Sequence, residues 1–429
     1  MQSHSKDLNW SLVINASIAS YLDAGLLVSA GIALAIWPQQ FNIGPWMAGF
    51  ISTLLTLSVA FGSFVGGYLS DKFGRTRVFN LDILFVVIGT AIIAFAPSLP
   101  WLMSGLVIAG IASGADLPTS LAVISERTSD DKHGKAMTVT EIFWIGGIVL
   151  SQGLGFLTAG LGTLSNRFLF LWLALVALVT WLIRVFSPRF KQIEEEALWK
   201  NPDPSSNPTA DNQKISLLAL LKVPRYLAPM IMLAGFYLFW NLPANTWGSF
   251  LNYFLVTVDN RSQSFATLVA FVANILGVFV LYFIYMKFAD TKYRYRMMHI
   301  GLALCILSFI VSAAFGGVWY MFTACYVLYC MANMLHGEPL YKIWSQTLYP
   351  ANVRATVTGF TYASVRLLTA VFSLVTPVIM NYSPTLLMWL LAGSLLVCWI
   401  CGKSIIRFIV KKDIADTALR DNPATSTNL

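Results

Sequence analysis

Charge is what this sequence has least of. Only 11% of its 429 residues are Asp, Glu, Lys or Arg, against roughly 25% in an ordinary soluble domain. Meanwhile 57% are hydrophobic and the mean hydropathy is +0.68. That balance excludes a water-soluble globular chain and implies an integral membrane protein. Cysteine is also scarce: Cys305, Cys325, Cys330, Cys398 and Cys401 all fall inside apolar stretches. No disulfide framework is implied, and the C-x-x-C at 398–401 reads as small apolar filler. There is no G-x-x-x-x-G-K-[ST] to drive transport with ATP and no G-x-S-x-G elbow. His4, His133, His299 and His336 are too scattered for a metal site. An enzyme is disfavoured, and no cofactor is expected.

Long apolar runs take the place of these features. A membrane-spanning helix needs about 20 largely apolar residues. Twelve such stretches can be cut from the chain, at approximately 13–37, 46–69, 78–97, 100–125, 137–161, 166–187, 226–255, 263–287, 297–316, 318–345, 355–380 and 384–410. A continuous apolar run buries every side of a segment, whereas a barrel strand alternates, so the expected fold class is all-α integral membrane. The first stretch is too long for a signal peptide, contains Asp23 and is followed by no small-residue cleavage site.

The polar segments divide the chain. Residues 188–215, "PRFKQIEEEALWKNPDPSSNPTADNQKI", are the only long polar interior segment and separate six spans from six. The expected organisation is an N-terminal half over 1–187, a linker over 188–225, a C-terminal half over 226–410 and a polar tail over 411–429. Of 28 Lys and Arg residues, only Arg167 and Arg261 fall in the turns placed outside, so both termini are expected to be cytoplasmic. The net charge of +8 follows from that topology and from anionic lipid at the inner leaflet. Nucleic acid is not an expected partner.

The two halves carry a repeat. Asp71, Arg75 and Arg77 recur with identical spacing as Asp290, Arg294 and Arg296, 219 residues later, each set following the second span of its half. Glu126 and His133 are matched by Thr347 and Arg354, 221 residues later, each pair following the fourth span. Two motifs at nearly one offset point to pseudo-symmetric six-helix halves.

The stretch "GGYLSDKFGRTR", 66–77, resembles the signature turn of the major facilitator superfamily, G-x-L-x-D-R-x-G-R-R/K, with Gly67, Asp71, Gly74 and Arg75 in register. Lys72 stands for the usual Arg, and Arg77 supplies a base one residue late. "GADLPTSLAVISE", "SPR" and "LYPANVRAT" at 114–126, 187–189 and 348–356 resemble sugar-porter and metabolite:proton-symporter motifs. The resemblance implies a cytoplasmic latch made by Gly67, Asp71, Gly74, Arg75, Glu126, Asp290, Arg294 and Arg354. A carboxylate beside a helix N-terminus, paired with bases, can form in one conformation and break in another. Lys72, Lys292 and Arg296 read as simple positive-inside anchors. His133, Thr347 and Tyr293 depart from the family pattern, so the second latch is expected to be the weaker.

Ionisable groups at mid-membrane cost roughly 2.5–3.5 kcal/mol or more, and they persist by lining water or finding partners. Asp23 lies ten residues into the first span, in "YLDAGLLVSAG", which resembles the symporter helix whose acid binds the proton. Asp116 and Glu141 are further proton-coupling candidates, and Glu141 also stands where sugar porters have a ligand Gln. Each acid could instead be structural, bonded to helix ends. "HGEPLYK", 336–342, places His336, Glu338 and Lys342 at a proline-broken helix. Arg366 lies about 16 Å into the eleventh span, at 1.5 Å per residue. It either meets an anionic solute or neutralises Asp23 or Glu338. Trp240, Asn241 and Asn245 offer a stacking surface and amide hydrogen bonds to hydroxylated ligands.

The expectation is a bacterial inner-membrane secondary transporter, working as a monomer in the bilayer with a small polar solute and a proton as its partners. It would take up a sugar, polyol, sugar acid or organic acid by proton symport and alternating access. A drug-efflux antiporter of the same fold is the alternative, disfavoured because "EIFWIGGIVLSQGLG" lacks proline. A membrane sensor would need a longer cytoplasmic extension.

Overall fold

The computed structural model describes residues 10–73, 75–127, 130–188, 224–288, 291–315, 318–349 and 351–414. Among these residues there is no strand. The main helices are α1 (Trp10–Ala33), α2 (Pro45–Phe73), α3 (Arg75–Ala94), α4 (Leu99–Arg127), α5 (Asp130–Thr158), α6 (Thr163–Phe186) and α7 (Pro224–Tyr253). They continue with α8 (Gln263–Val280), α9 (Arg294–Ala314), α10 (Trp319–Asn333), α11 (Glu338–Thr347), α12 (Ala351–Tyr382) and α13 (Pro384–Lys411).

Among the described residues, ten helices are long and apolar enough to cross a membrane, and Val78–Ala94 is a shorter apolar one. The remaining expected span is the α10–α11 pair. The chain is a multi-pass helical membrane protein, and all twelve predicted stretches are helical. Two boundaries differ from the apolar count. The first run was expected to reach 37, but α1 stops at Ala33 and Pro38 opens a separate short helix, Trp37–Phe41. Proline tolerates the first turn of a helix and not its interior. The tenth run is interrupted because Gly337 takes φ +82°, a conformation glycine enters without a Cβ penalty. Pro339 then sits in the first turn of α11, where a missing N–H costs nothing.

The described helices gather into two compact units. The first holds α1 to α6 together with Gly248–Thr257 and Arg261–Leu268. The second holds α7 as far as Trp247, Val258–Asn260, and the chain from Val269 onward. Within the first unit α2 and α3 both pack along α4, α1 packs on α5, and α3 also packs on α6. Within the second, α9 packs on α13 and α10.

Close crossing in a membrane needs small residues, because lipid tails are as apolar as leucine and packing must come from backbone approach. The α2–α4 contact shows this. A methyl added at Gly62 would run into the backbone of Ile111, and one at Gly114 into the backbone of Val59. Ser63 Oγ also donates to the Gly114 carbonyl at 2.9 Å. Gly393 in α13, by contrast, has no atom within 4 Å of the added methyl. Both positions are helical, so alanine brings the same propensity gain of about 1 kcal/mol to each. Gly114→Ala should therefore lower the melting temperature of the purified protein by several degrees, whereas Gly393→Ala should leave it unchanged or slightly raised.

Candidate functional site

In the first unit the polar chemistry is collected on α1 and α4. Asp23 is the only charged residue between Trp10 and Ala33 and is 4% exposed. Ser113 of α4 donates to its Oδ1 across a long 3.5 Å. Gly147 of α5 lets the Tyr21 carbonyl approach, two residues before Asp23, and the Tyr21 hydroxyl accepts from Trp172 Nε1 at 2.7 Å. Asp23 is thus held where α1, α4 and α5 meet.

One turn further along α4, Asp116 meets a residue that sequence reasoning passed over. Arg184, two residues from the end of α6, has no exposed side-chain surface and lies 3.0 Å from Asp116 Oδ1. Its Nη1 also donates to the Phe79 carbonyl of α3 at 2.7 Å, and its Nη2 to the Asn15 carbonyl of α1 at 2.9 Å. Its guanidinium carbon lies 3.4 Å from the centroid of the Phe79 ring. One side chain therefore ties four helices together. Asp116 Oδ1 accepts a further hydrogen bond from Ser120 at 3.0 Å. The available signal was that Arg184 precedes the end of an apolar run, where a base reads as a positive-inside anchor.

In the second unit the helix break builds a wall of aromatic residues. Tyr237 of α7 stacks on Trp240 at 5.5 Å between centroids, on Tyr341 of α11 at 4.1 Å, and on Tyr362 of α12 at 5.6 Å. Trp240 Nε1 donates to Asn333 Oδ1, the last residue of α10, at 2.8 Å. A methyl at Gly337 would collide with the Trp240 indole, so a glycine is required there by contact as well as by its φ. The Tyr341 hydroxyl lies 2.7 Å from Thr361 Oγ1. Arg366 Nη2 donates to the Tyr362 hydroxyl at 2.7 Å, with the guanidinium 5.1 Å from that ring. Lys342 and Glu338 pair at 3.2 Å. Tyr237 interacts electrostatically with Glu338, Tyr362 and Arg366, which places all four in one neighbourhood.

The predicted ligand residues therefore separate. Trp240, Glu338 and Arg366 are brought together, with Lys342 beside Glu338. Asn241 is buried on α7. Asn245 donates to Ser373 Oγ at 2.6 Å. His336 is fully buried, with Nδ1 3.2 Å from the Ala332 carbonyl and packed where α9 presents Gly301. Tyr237, Tyr341, Tyr362 and Asn333 were not singled out, because aromatic residues in apolar spans are by default packing. The cue available was spacing, since Tyr237 is one turn before Trp240 and Tyr362 one turn before Arg366.

Of the latch residues, Arg294 is buried at the start of α9. Gly74 and Asp290 lie outside the described residues, and for Gly67, Asp71, Arg75, Glu126, Glu141 and Arg354 only the helical backbone is described. No group of three or more His, Cys, Asp or Glu suited to a metal ion occurs among the described residues.

Among the described residues, ten helices long enough to cross a membrane and a shorter apolar one gather into two compact units. The sequence profile of the Major Facilitator Superfamily matches residues 13–373, and the chain belongs to that family. It is a membrane transporter of small solutes and not an enzyme. The minor myo-inositol transporter of Bacillus subtilis (strain 168) is 29% identical over 380 residues, covering 86% of this chain and 84% of the relative. The niacin transporter of Acinetobacter baylyi (strain ATCC 33305 / BD413 / ADP1) is 31% identical over 140 residues, 33% of this chain and 29% of the relative. Among solved structures, a D-xylose-proton symporter superposes with a TM-score of 0.74 over 92% of this chain and 97% of its own, at 15% identity, a likeness of fold.

Removing one partner of a buried ion pair leaves an uncompensated charge and costs about 3–5 kcal/mol, whereas replacing both with apolar residues costs far less. Asp116→Asn should therefore sharply reduce the yield of folded protein and its melting temperature. The double substitution Arg184→Met, Asp116→Leu should restore most of the loss.

Proposed function

We propose that the protein is a proton-coupled symporter that takes up a small hydroxylated or carboxylated metabolite, a sugar, polyol, sugar acid or organic acid, by alternating access. The observation that carries the solute side is the wall formed by Tyr237, Trp240, Tyr341 and Tyr362, with Arg366 hydrogen-bonded into it. Tyr362 and Arg366, the partly exposed members of this cluster, offer a hydroxyl that orients a solute's hydroxyl groups and a guanidinium that takes a carboxylate. Trp240, Asn241, Glu338, Lys342 and Arg366 are the ligand residues of this reading. A relative described as a myo-inositol transporter and spanning most of the chain supports a polyol-like solute.

The proton side is assigned to Asp23. A buried carboxylate on an otherwise uncharged helix is expensive when ionised and cheap when protonated, so proton gain and loss change which conformation is tolerated. Glu141 and Asp116 are the candidates for relaying that proton. Asp71, Arg75, Glu126, Asp290, Arg294 and Arg354, with the glycines Gly67 and Gly74, serve as the latch. The protein sits in the cell membrane, as a bacterial inner-membrane protein with both termini cytoplasmic, and functions as a monomer.

In proteoliposomes with an imposed pH gradient, inside alkaline, the wild type should accumulate solute. Asp23→Asn should abolish accumulation while leaving solute exchange partly intact. Equal loss of both activities would make Asp23 structural, and accumulation only with the opposite gradient would indicate efflux. A thermal-stabilisation screen of polyols, sugars and sugar acids identifies the solute, since binding to the native state raises its stability. Arg366→Gln should weaken carboxylated ligands about tenfold or more while changing neutral polyols little.

A further inference from the structure

The outer face where α9 packs on α13 carries cations and no acid. Neither Arg294–Ala314 nor Pro384–Lys411 contains an Asp or Glu. Trp399, Lys403, Arg407 and Lys411 follow one another at four-residue spacing and so share one side of α13. Lys403 and Arg407 are exposed, as is Arg296 on α9. Met298 meets Gly402 and, two turns further along α9, Cys305 interacts with Cys398, so the two helices run antiparallel. Arg296, one turn before His299, therefore stands at the level of Lys403, one turn after Trp399.

The two helices are joined there by a hydrogen bond that also fixes where a proton sits. Trp399 Nε1 donates to His299 Nδ1 at 2.7 Å. An indole N–H can only donate, so Nδ1 is the acceptor and carries no proton. In the neutral imidazole the proton is then on Nε2, which becomes a donor. Lys403 Nζ stands over the same indole, 5.2 Å from the ring centroid. His299 Nε2, Lys403, Arg407 and Arg296 thus offer only donors. No ion pair among the described residues involves any of the three cations.

Depth separates Lys403 from an ordinary helix-end anchor. At the other end of α13, Trp389 is exposed, and so are Tyr382 and Tyr320 on the neighbouring helix ends, as aromatic residues at a membrane interface are. Lys403 follows Trp389 by fourteen residues, about 21 Å at 1.5 Å per residue, which leaves its backbone inside a hydrocarbon layer about 30 Å thick. Its chain must extend toward the headgroups to leave that layer. An ammonium drawn up in this way stands at the level of lipid phosphates.

We propose that the α9–α13 groove binds the headgroup of one anionic phospholipid. The phosphate lies on Lys403 and Arg407, with Arg296 beside it, and a headgroup hydroxyl accepts from His299 Nε2–H. A guanidinium and an ammonium together suit a phosphodiester. A zwitterionic headgroup would bring its own ammonium against three cations, so the groove favours phosphatidylglycerol over phosphatidylethanolamine. Under the orientation proposed above, the leaflet is the cytoplasmic one.

The test titrates the full-length protein in detergent with phosphatidylglycerol or phosphatidylethanolamine of the same acyl chains, and native mass spectrometry counts the lipids retained. The wild type should retain one phosphatidylglycerol about tenfold more tightly than phosphatidylethanolamine. Lys403→Gln with Arg407→Gln should abolish that preference. Lys411→Gln with Lys412→Gln removes the same charge from the end of the same helix and should leave it in place. All four substituted cations are exposed, so both double variants fold. His299→Phe keeps the net charge and should weaken phosphatidylglycerol several-fold, which diffuse attraction to a basic surface does not produce. A wild type without the preference, or equal loss in both double variants, overturns the proposal. Release of the lipid by inorganic phosphate at millimolar concentration would mark a site for the free anion and overturn it as well.

Discussion

A guanidinium without any exposed surface cannot exist in an apolar layer by itself, and the first unit is organised around that constraint. Arg184 satisfies it by reaching Asp116, Phe79 and Asn15 on three different helices. The same contacts set the register of α1 against α4. Asp23 faces Ser113 because Asn15, two turns earlier on α1, and Asp116, one turn later on α4, are both held by the same arginine. A proton-binding candidate and a structural ion pair thus share one helix face, and the geometry of the first depends on the second.

The second unit meets a different constraint with a backbone device. A continuous helix from Trp319 to Thr347 would carry its side chains past α7 in regular order. The break at Met334–Gly337 instead brings Gly337 against Trp240 and leaves Asn333 to accept its indole N–H. The restarted helix then presents Tyr341 to Tyr237. Irregular backbone at membrane depth is tolerated where its polar groups find partners, and here Trp240 of the aromatic stack packs against the break. Gly301 in α9 accommodates His336 within the same break, so a polar ring is packed without displacing the aromatic stack.

What could be read in advance follows from what is local. All twelve spans were legible because an apolar run of sufficient length has one physical meaning, and the break at 336–339 was legible because glycine and proline act on the backbone where they stand. Asp23 was legible as an isolated acid. Arg184 was not, since a base near the end of a span reads as an anchor unless its partner 68 residues earlier is known to lie 3.0 Å away. Tyr237, Tyr341 and Tyr362 lie on three helices, and only tertiary packing turns three ordinary aromatic residues into one stack.

The two units consequently divide the chemistry by charge type. The described first unit concentrates its buried charge where Arg184 meets Asp116, with Asp23 one turn away across Ser113. The second concentrates aromatic faces and hydroxyls around Arg366, with the acid Glu338 engaged by Lys342, and is suited to a neutral or anionic solute. Under the proposed symport, the two affinities are separable, so that each can change with conformation without the two ligands competing for the same groups. In that proposal the two sets of residues belong to separate compact units, each with its own packing core. The buried ion pair of the first unit thus lies among glycine-packed helices, while the aromatic stack of the second lies beside a broken one.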